Sequence, residues 1–130
     1  MISTISIRTR NRSEMVDITP EVTDLLQKAG LEQGVCYIYV PHTTAGITIN
    51  EGADPSVVTD IQTMLDTLVP WEASYRHLEG NAAAHIKSSL VGSSVCVLVE
   101  SGRLKLGTWQ AIFFCEFDGP RTRKVHIQFQ

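Results

Sequence analysis

The sequence has no excess of basic residues and no long apolar run. Its 130 residues include 11 Lys and Arg against 14 Asp and Glu, which gives a formal net charge of −3. Because binding to nucleic-acid phosphates normally needs a basic surface, we expect no nucleic-acid partner. The residues from Met1 to Ser6 have neither a basic flank nor a long apolar segment, so we expect neither a signal peptide nor a membrane span.

Cysteine is scarce as well. The three cysteines, Cys36, Cys96 and Cys115, form no C-x-x-C pair, and their odd number argues against a disulfide framework. Each lies in an apolar run typical of a strand, so we interpret them as small buried side chains of a protein in the reducing cytoplasm.

The sequence also contains no P-loop, dinucleotide-binding fingerprint or G-x-S-x-G nucleophile motif.

The pattern of apolar residues predicts one α+β domain that covers residues 1–130. Alternation with a period of two, or a β-branched and aromatic run, indicates strands near residues 2–8, 14–18, 35–40, 45–50, 94–100, 111–117 and 124–129. Helices are predicted from the Thr19-Pro20 cap to Gly30, from Asp54-Pro55 to Pro70, and over residues 82–90. Short turns between the last three strands favour an antiparallel meander, and the apolar stripe of the second helix is expected in the core.

Three of the four histidines lie in polar segments that can face one pocket. His42 begins a turn between two predicted strands, and His77 and His85 flank the start of the third helix, where three alanines leave room for a ligand. Three imidazoles suit zinc or a similar divalent ion, so these histidines are the candidate metal ligands. Each has an ordinary alternative as a solvated or packing residue, and the spacing of eight residues between His77 and His85 is not a helical metal motif.

Other polar residues near these segments are candidates for catalysis or substrate binding. Glu51 and Asp54 follow the second of the two strands and are candidates for a fourth ligand or a general base, while Asn81 is placed to orient a ligand. Asp54 and Asn81 have the alternative role of helix caps. The guanidinium group of Arg121 suits a phosphate, although an arginine beside a turn is often only solvated. The candidate substrate-binding residues are Thr43, Thr44, Lys87, Ser88, Gln110 and Arg121.

Five ordered segments carry a resemblance to a known family. They are residues 42–51, which begin His42-Thr43-Thr44-Ala45-Gly46, the pair Asp54-Pro55, Tyr75-Arg76-His77 with residues 80–89, residues 106–110, and residues 116–121. This set closely resembles the YjbQ-like family, UPF0047, over nearly the whole chain. The resemblance implies a compact α+β fold whose mostly antiparallel sheet is closed or nearly closed into a barrel with about three helices. It also implies a homotrimer, a pocket that contains the three histidines and holds a metal in some relatives, and a weak, secondary thiamine-phosphate synthase activity.

Three hypotheses follow for the function. The first is a metal-dependent enzyme that acts on a small phosphorylated or heterocyclic substrate. Its histidines favour zinc, whereas magnesium, which prefers oxygen ligands, would accompany a diphosphate substrate. The second is a non-catalytic trimeric module that binds a metal or a small ligand. The third is a structural role, with the histidines hydrogen-bonded near a subunit contact. We favour the enzyme over the binding module, and both over the structural role.

Overall fold

Eight strands and three helices make up the chain in a computed structural model, which describes residues 1–130. The strands are β1 (Ile2–Arg8), β2 (Glu14–Asp17), β3 (Gln33–Tyr39), β4 (Ala45–Glu51), β5 (Ser94–Glu100), β6 (Arg103–Leu104), β7 (Gln110–Glu116) and β8 (Thr122–Phe129). The helices are α1 (Thr19–Ala29), α2 (Pro55–Leu68) and α3 (Ala82–Val91). None of the three helices has the length and apolar character that crossing a bilayer requires.

The strands form two antiparallel sheets. The larger has the order β1-β8-β3-β5-β6 and the smaller the order β2-β7-β4, and one of the two curls into a half-barrel. The expected α+β class with three helices and antiparallel pairing is confirmed.

The predicted meander of β5, β7 and β8 is wrong, because β7 lies in the small sheet while β5 and β8 lie on either side of β3 in the large one. β7 is buried along nearly its whole length, so both of its faces must be covered by other elements. A position in the large sheet would leave one face of β7 exposed to solvent.

The two sheets and α1 enclose one apolar core. Side chains that point into it include Ile38 and Val125 from the large sheet, Ile47 and Phe114 from the small sheet, and Leu26 from α1. The opposite face of the small sheet is covered by α2 and α3 over a second cluster, formed by Ala84, Ala111, Phe113, Cys115 and Phe117. The small sheet is therefore the middle layer, with the large sheet on one side and two helices on the other.

The apolar stripe of α2 is only half covered. Val58 and Leu65 pack against the second cluster, but Met64 and Leu68 are 56% and 66% exposed, and no residue of the helix is fully buried. The prediction that the whole stripe lies in the core is therefore wrong for the chain alone. Only the part of the stripe that includes Val58 and Leu65 packs against the second cluster, and the rest faces outward.

The helix starts match the sequence in part. Asp54 caps α2 as predicted, since its carboxylate accepts the Ser56 N–H at 2.9 Å. Thr19 does not cap α1, because its Oγ1 instead accepts the N–H of Ile112 at 2.8 Å. Ile18 occupies the cap position there. The α3 cap position is held by Asn81, whose side chain makes no capping hydrogen bond.

The three cysteines differ in exposure. Cys36 and Cys115 are buried, and burial raises the pKa of each thiol to about 12, whereas Cys96 is exposed on the outer face of the large sheet. The expectation that all three are buried is therefore wrong for Cys96. It lies on β5, whose outward side chains are not covered by another layer.

We predict that one thiol per native chain reacts with a disulfide reagent, because only Cys96 exposes its sulfur and only a thiolate attacks. Counting thiols with Ellman's reagent, with and without guanidinium chloride, measures this. The Cys96→Ser variant should show no fast-reacting thiol, and the Cys115→Ser variant should still show one. Fast reaction of two or three thiols in the native wild type would contradict the assigned burial.

Candidate functional site

Two polar cavities meet where the turn after β3 approaches α3. The first has a volume of about 390 Å³ and is lined by His42, Thr43, Ala45, His85, Ser88, Ser89, Gly92 and Ser93. The second has a volume of about 480 Å³ and is lined by Thr43, Thr44, Trp71, His77, Glu79, Asn81, His85, Asp118 and Arg121. Since Thr43 and His85 belong to both walls, the cavities are neighbours. Each has the size of a small-molecule site.

His77 and His85 form a pair in the second cavity. Their ring centroids are 5.1 Å apart and the rings meet edge to face, at 84°. His85 lies on α3, and His77 lies in the loop before it. Between them Gly80 adopts a φ of +80°, a conformation that side chains disfavour, so a glycine permits the reversal that returns the loop to the helix. Two imidazoles that were eight residues apart in sequence therefore share one wall.

His42 contacts the large sheet. Its Nε2 accepts the backbone N–H of Lys124 at 2.9 Å, at the beginning of β8. Burial lowers the pKa of His42, and the positive charge of Arg123 lowers it further. The ring is therefore neutral at pH 7, and the hydrogen bond assigns its proton to Nδ1. The one ring nitrogen of His42 that can accept a hydrogen bond is therefore occupied by the Lys124 N–H.

A buried ion pair lies behind the cavity wall. Glu116 and Arg123 are 0% and 2% exposed, and Arg123 Nε donates to both carboxylate oxygens at 2.9 and 3.1 Å, while Nη2 donates to Oε2. Thr9 Oγ1 and the N–H groups of Phe117 and Asp118 also donate to this carboxylate. Burial alone raises the pKa of Glu116, but the hydrogen bonds outweigh it and hold the pKa below its usual value. The pair is therefore charged and fully hydrogen-bonded.

This ion pair fixes two parts of the second cavity. Arg123 Nη2 donates to the carbonyl oxygen and the Oγ1 of Thr44, at 3.2 and 2.8 Å. Thr9, whose hydroxyl donates to Glu116, accepts the backbone N–H of Arg121 at 3.0 Å. Thr44 and Arg121 are distant in sequence, and the network holds both at the same wall.

Asp118 joins Asn81 to Arg121 at the base of the second cavity. Its Oδ2 accepts from Asn81 Nδ2 at 2.8 Å and from Arg121 Nη2 at 3.0 Å. Arg121 Nε donates to the Asp118 carbonyl oxygen, so one face of the guanidinium group is fixed. The Oδ1 of Asn81 is buried and has no hydrogen-bond partner in the chain. The amide is thus held by Asp118 through its nitrogen alone.

Trp71 forms an aromatic wall of the second cavity. One side of the indole packs on the second core cluster, and the guanidinium group of Arg12 lies 4.2 Å from its ring centroid. The Arg12 carbonyl oxygen accepts the N–H of Gly119 at 3.0 Å. A Cβ atom on residue 119 would come within 2.3 Å of the Asn11 carbonyl oxygen. Gly119 therefore allows the close approach that ties the Asp118 turn to the Arg12 loop.

The histidines fit a divalent metal ion only in part. His77 and His85 lie close enough for one ion to contact both rings. No group of three or more His, Cys, Asp or Glu side chains in the chain is arranged to hold an ion, and His42 has its acceptor nitrogen on Lys124. The expected shell of three histidines is therefore not formed by the single chain. His77 and His85 alone would supply two nitrogen ligands and leave other positions open.

Two expected catalytic residues lie outside both cavities. Glu51 Oε2 accepts the N–H of Ala53 at 2.9 Å, and Asp54 caps α2. Both carboxylates therefore stabilise the turn between β4 and α2. Hydrogen bonds to Ser56 lower the pKa of the Asp54 carboxyl, which is the effect expected at a helix cap. Asn81, the third of these residues, does line the second cavity.

The expected substrate-binding residues divide between the cavities and other contacts. Thr43, Thr44 and Arg121 line the second cavity, and Ser88 lines the first. Lys87 is buried on the opposite side of α3, where its ammonium group pairs with Asp66 of α2. Gln110 lies at the start of β7, where its Oε1 accepts the N–H of Gly107 at 2.9 Å. These two residues hold the scaffold and do not line either cavity.

The family model described as "UPF0047 protein YjbQ-like" matches residues 3–130. The chain belongs to the YjbQ-like family. Among its relatives, UPF0047 protein YugU of Bacillus subtilis is 58% identical over 129 residues, 98% of each chain. UPF0047 protein MJ1081 of Methanocaldococcus jannaschii is 52% identical over 128 residues, which are 98% of this chain and 93% of the relative.

Solved structures of YjbQ-like proteins have the same fold. An uncharacterised YjbQ/UPF0047 protein of Clostridium acetobutylicum is 49% identical and superposes with a TM-score of 0.97 over 98% of this chain and 99% of the other. A hypothetical protein of Aeropyrum pernix is 36% identical, with a TM-score of 0.95 over 100% of this chain and 98% of the other. The arrangement of two sheets and three helices described above is thus similar to solved members of the family.

The YjbQ-like site contains residues that the sequence did not predict as functional. Trp71 and Glu79 lie in the loop between α2 and α3, which has no periodic pattern, and Asp118 appears in sequence only as part of a turn. Arg12, which lines neither cavity but stacks on Trp71, comes from the loop after β1. A signal existed only for Asp118, because it adjoins Arg121 in one of the family segments. The others reach the cavity through tertiary packing.

Proposed function

We propose that this YjbQ-like protein is a metal-dependent enzyme that acts on a small phosphorylated substrate bound in the second cavity. The observation that carries the proposal is that two imidazoles and a guanidinium group line the same cavity: His77, His85 and Arg121. Imidazole nitrogens bind divalent metal ions, and a guanidinium group pairs with phosphate oxygens.

Arg121 would bind the phosphate. Its Nε and Nη2 are held by Asp118, which aims the side chain, and its side chain is 49% exposed, so a hydrogen-bonding edge remains open. Thr43 and Thr44, on the same wall, would add hydroxyl groups as donors. Arg12, which stacks on Trp71 of this wall, contributes a second positive charge behind the indole ring.

His77 and His85 would hold a divalent metal ion beside the bond that is broken or formed. Glu79, whose Oε2 is 4.0 Å from His77 Nε2, would orient the His77 ring. A divalent ion held by the same pair would withdraw electrons from a phosphate oxygen or a leaving group. Zinc suits nitrogen ligands better than magnesium does, while magnesium would enter with a diphosphate substrate.

The thiamine-phosphate synthase activity that the family resemblance implies is one reaction of this class, since both of its substrates carry phosphate groups. We propose it as a secondary activity. We also propose a cytoplasmic homotrimer, in which the exposed Met64 and Leu68 of α2 offer apolar surface for a neighbouring copy. A trimeric module that binds a metal or a small ligand without catalysis is the alternative, supported by the engagement of Asp118 with Asn81 and Arg121, which leaves Glu79 as the one other carboxylate in the wall.

We expect the purified protein to turn over at least one member of a panel of phosphomonoesters, or pyrimidine diphosphate with thiazole phosphate, in a reaction that EDTA abolishes. The Arg121→Ala variant should lower kcat/KM by about 10- to 100-fold, the value of one lost charged hydrogen-bonding group. The protein is purified without a metal-affinity tag and assayed with added zinc or magnesium.

The matched control is Arg103→Ala, which removes an exposed arginine of β6 that lines neither cavity and should leave the rate unchanged. Phosphate binding without turnover would favour the binding module over the enzyme. If the protein neither binds nor turns over any phosphorylated compound, the proposed enzyme is contradicted.

A further inference from the structure

The first cavity differs from the second in having no charged side chain in its wall. Apart from His42 and His85, its polar side chains are the hydroxyl groups of Thr43, Ser88, Ser89 and Ser93. No Lys, Arg, Asp or Glu side chain lines it, and the Nε2 of His42 accepts the N–H of Lys124. A charged part of a ligand would find no partner of opposite sign there, whereas an uncharged polar part would find several hydrogen-bonding groups.

These groups include both acceptors and donors. The hydroxyl groups of Ser88 and Ser89 donate to the carbonyl oxygens of Ala84 and His85, at 2.8 and 3.0 Å, so they offer lone pairs to the cavity. His42 offers its Nδ1–H, because its Nε2 is used by Lys124. Thr43 and Ser93 make no side-chain hydrogen bond in the chain, so their hydroxyl groups are free to donate or accept. A ligand hydroxyl group, which both donates and accepts, matches such a wall.

An aromatic or apolar ring matches it poorly. Ala45 is the only hydrophobic residue in the first cavity, and a flat ring placed there would cover the serine and threonine hydroxyl groups without replacing their hydrogen bonds to water. The one large aromatic ring nearby, Trp71, lines the second cavity and already has Arg12 stacked on it. The first cavity therefore has little surface on which a heterocycle would stack.

We infer that the substrate is a phosphate ester of a polyhydroxylated compound, such as a polyol or a sugar, with its hydroxyl groups in the first cavity. This inference rests on the proposed function, which places the phosphate beside Arg121 in the second cavity. Thr43 and His85 line both cavities, so one small molecule can reach across them. The ester oxygen then lies near Thr43 and His85, the two residues that both parts of the substrate contact.

The test is calorimetric titration of the wild type with inorganic phosphate, glycerol 3-phosphate, glucose 6-phosphate and phenyl phosphate. We expect at least one polyol phosphate to bind about tenfold more tightly than inorganic phosphate, the effect of one or two additional hydrogen bonds, and more tightly than phenyl phosphate. In the Ser89→Ala/Ser93→Ala variant that advantage should disappear, while the affinity for inorganic phosphate stays the same. Both serines are exposed, so the substitutions should not affect folding.

Ser94→Ala is the matched control, because this exposed serine follows Ser93 in sequence but does not line the cavity. If phosphate binds but the polyol phosphates bind no more tightly, or if phenyl phosphate binds best, the inference is overturned and the proposed function stands. If the double variant binds polyol phosphates as the wild type does, the first cavity is not their site. If no phosphate compound binds at all, the proposed function fails and the inference falls with it.

Discussion

Replacing Arg123 by Met should lower the free energy of unfolding by about 3–5 kcal/mol, the cost of removing one member of a buried ion pair. Glu116, which is 0% exposed, would keep its charge without its main partner, or would take up a proton and lose the hydrogen bonds that it accepts as a carboxylate. Thr44 would also lose the donor that fixes its carbonyl oxygen and hydroxyl group. Equilibrium unfolding in urea measures the loss.

Two further variants separate the charge from the packing. Glu116→Leu/Arg123→Met, which removes both charges, should recover much of the stability, and Lys124→Met, at the neighbouring exposed position of β8, should change it little. Because the pKa of Glu116 is lowered, the pair stabilises the wild type above the ordinary pKa of 4.5, and this contribution is lost as the pH falls through the folded-state value. The double variant should lack that acid sensitivity. Equal stability of the wild type and Arg123→Met at pH 7 would contradict the account of the pair.

Replacing His85 by Ala should have the largest effect on function, because His85 lines both cavities and faces His77. We expect kcat to fall by at least about 10- to 100-fold, the loss typical even of a residue that only supports a metal ligand. The fold should persist, since the side chain is only partly buried and alanine favours a helix. Turnover of the substrate identified in the panel, together with the thermal unfolding temperature, measures the two effects separately.

His126→Ala is the matched control. His126 lies on β8 and forms a hydrogen bond with Thr4 at 2.8 Å, and it lines neither cavity, so its loss should leave kcat unchanged. A His85→Ala variant with wild-type kcat would exclude His85 from the reaction. A similar loss in both variants would mean that the effect comes from general damage to the fold.

The fold could be predicted from local patterns wherever a segment decides its own structure. Alternation identified β1 and β8, and the Asp54-Pro55 cap and Gly30 correctly marked helix ends. The partners of the strands could not be predicted, because β7 and β8 are separated only by a short turn yet belong to different sheets. What decides this is that β7 must be buried on both faces, and that requirement depends on where α2 and α3 pack.

The site was predictable where its residues lie in the polar turn of His42 and in the segment from His77 to Ser88. It was not predictable where polar side chains pair with other parts of the chain and stabilise the fold. Lys87 is one turn or less from His85 in the helix, but it points to Asp66 on α2. The sequence gives Glu51 no role as a helix cap, but in the structure its carboxylate accepts the Ala53 N–H and stabilises the turn before α2. Burial and hydrogen-bond partners distinguish such residues from ligand-binding ones, and both depend on tertiary packing.

Titration of isotope-labelled wild type with inorganic phosphate, followed by NMR, tests the central claim most directly. The claim predicts saturable chemical-shift changes at the backbone amides of Thr43, Thr44 and Arg121 and at the imidazole rings of His77 and His85, with His126 unaffected. Absence of saturable changes, or changes confined to residues outside the two cavities, would contradict it.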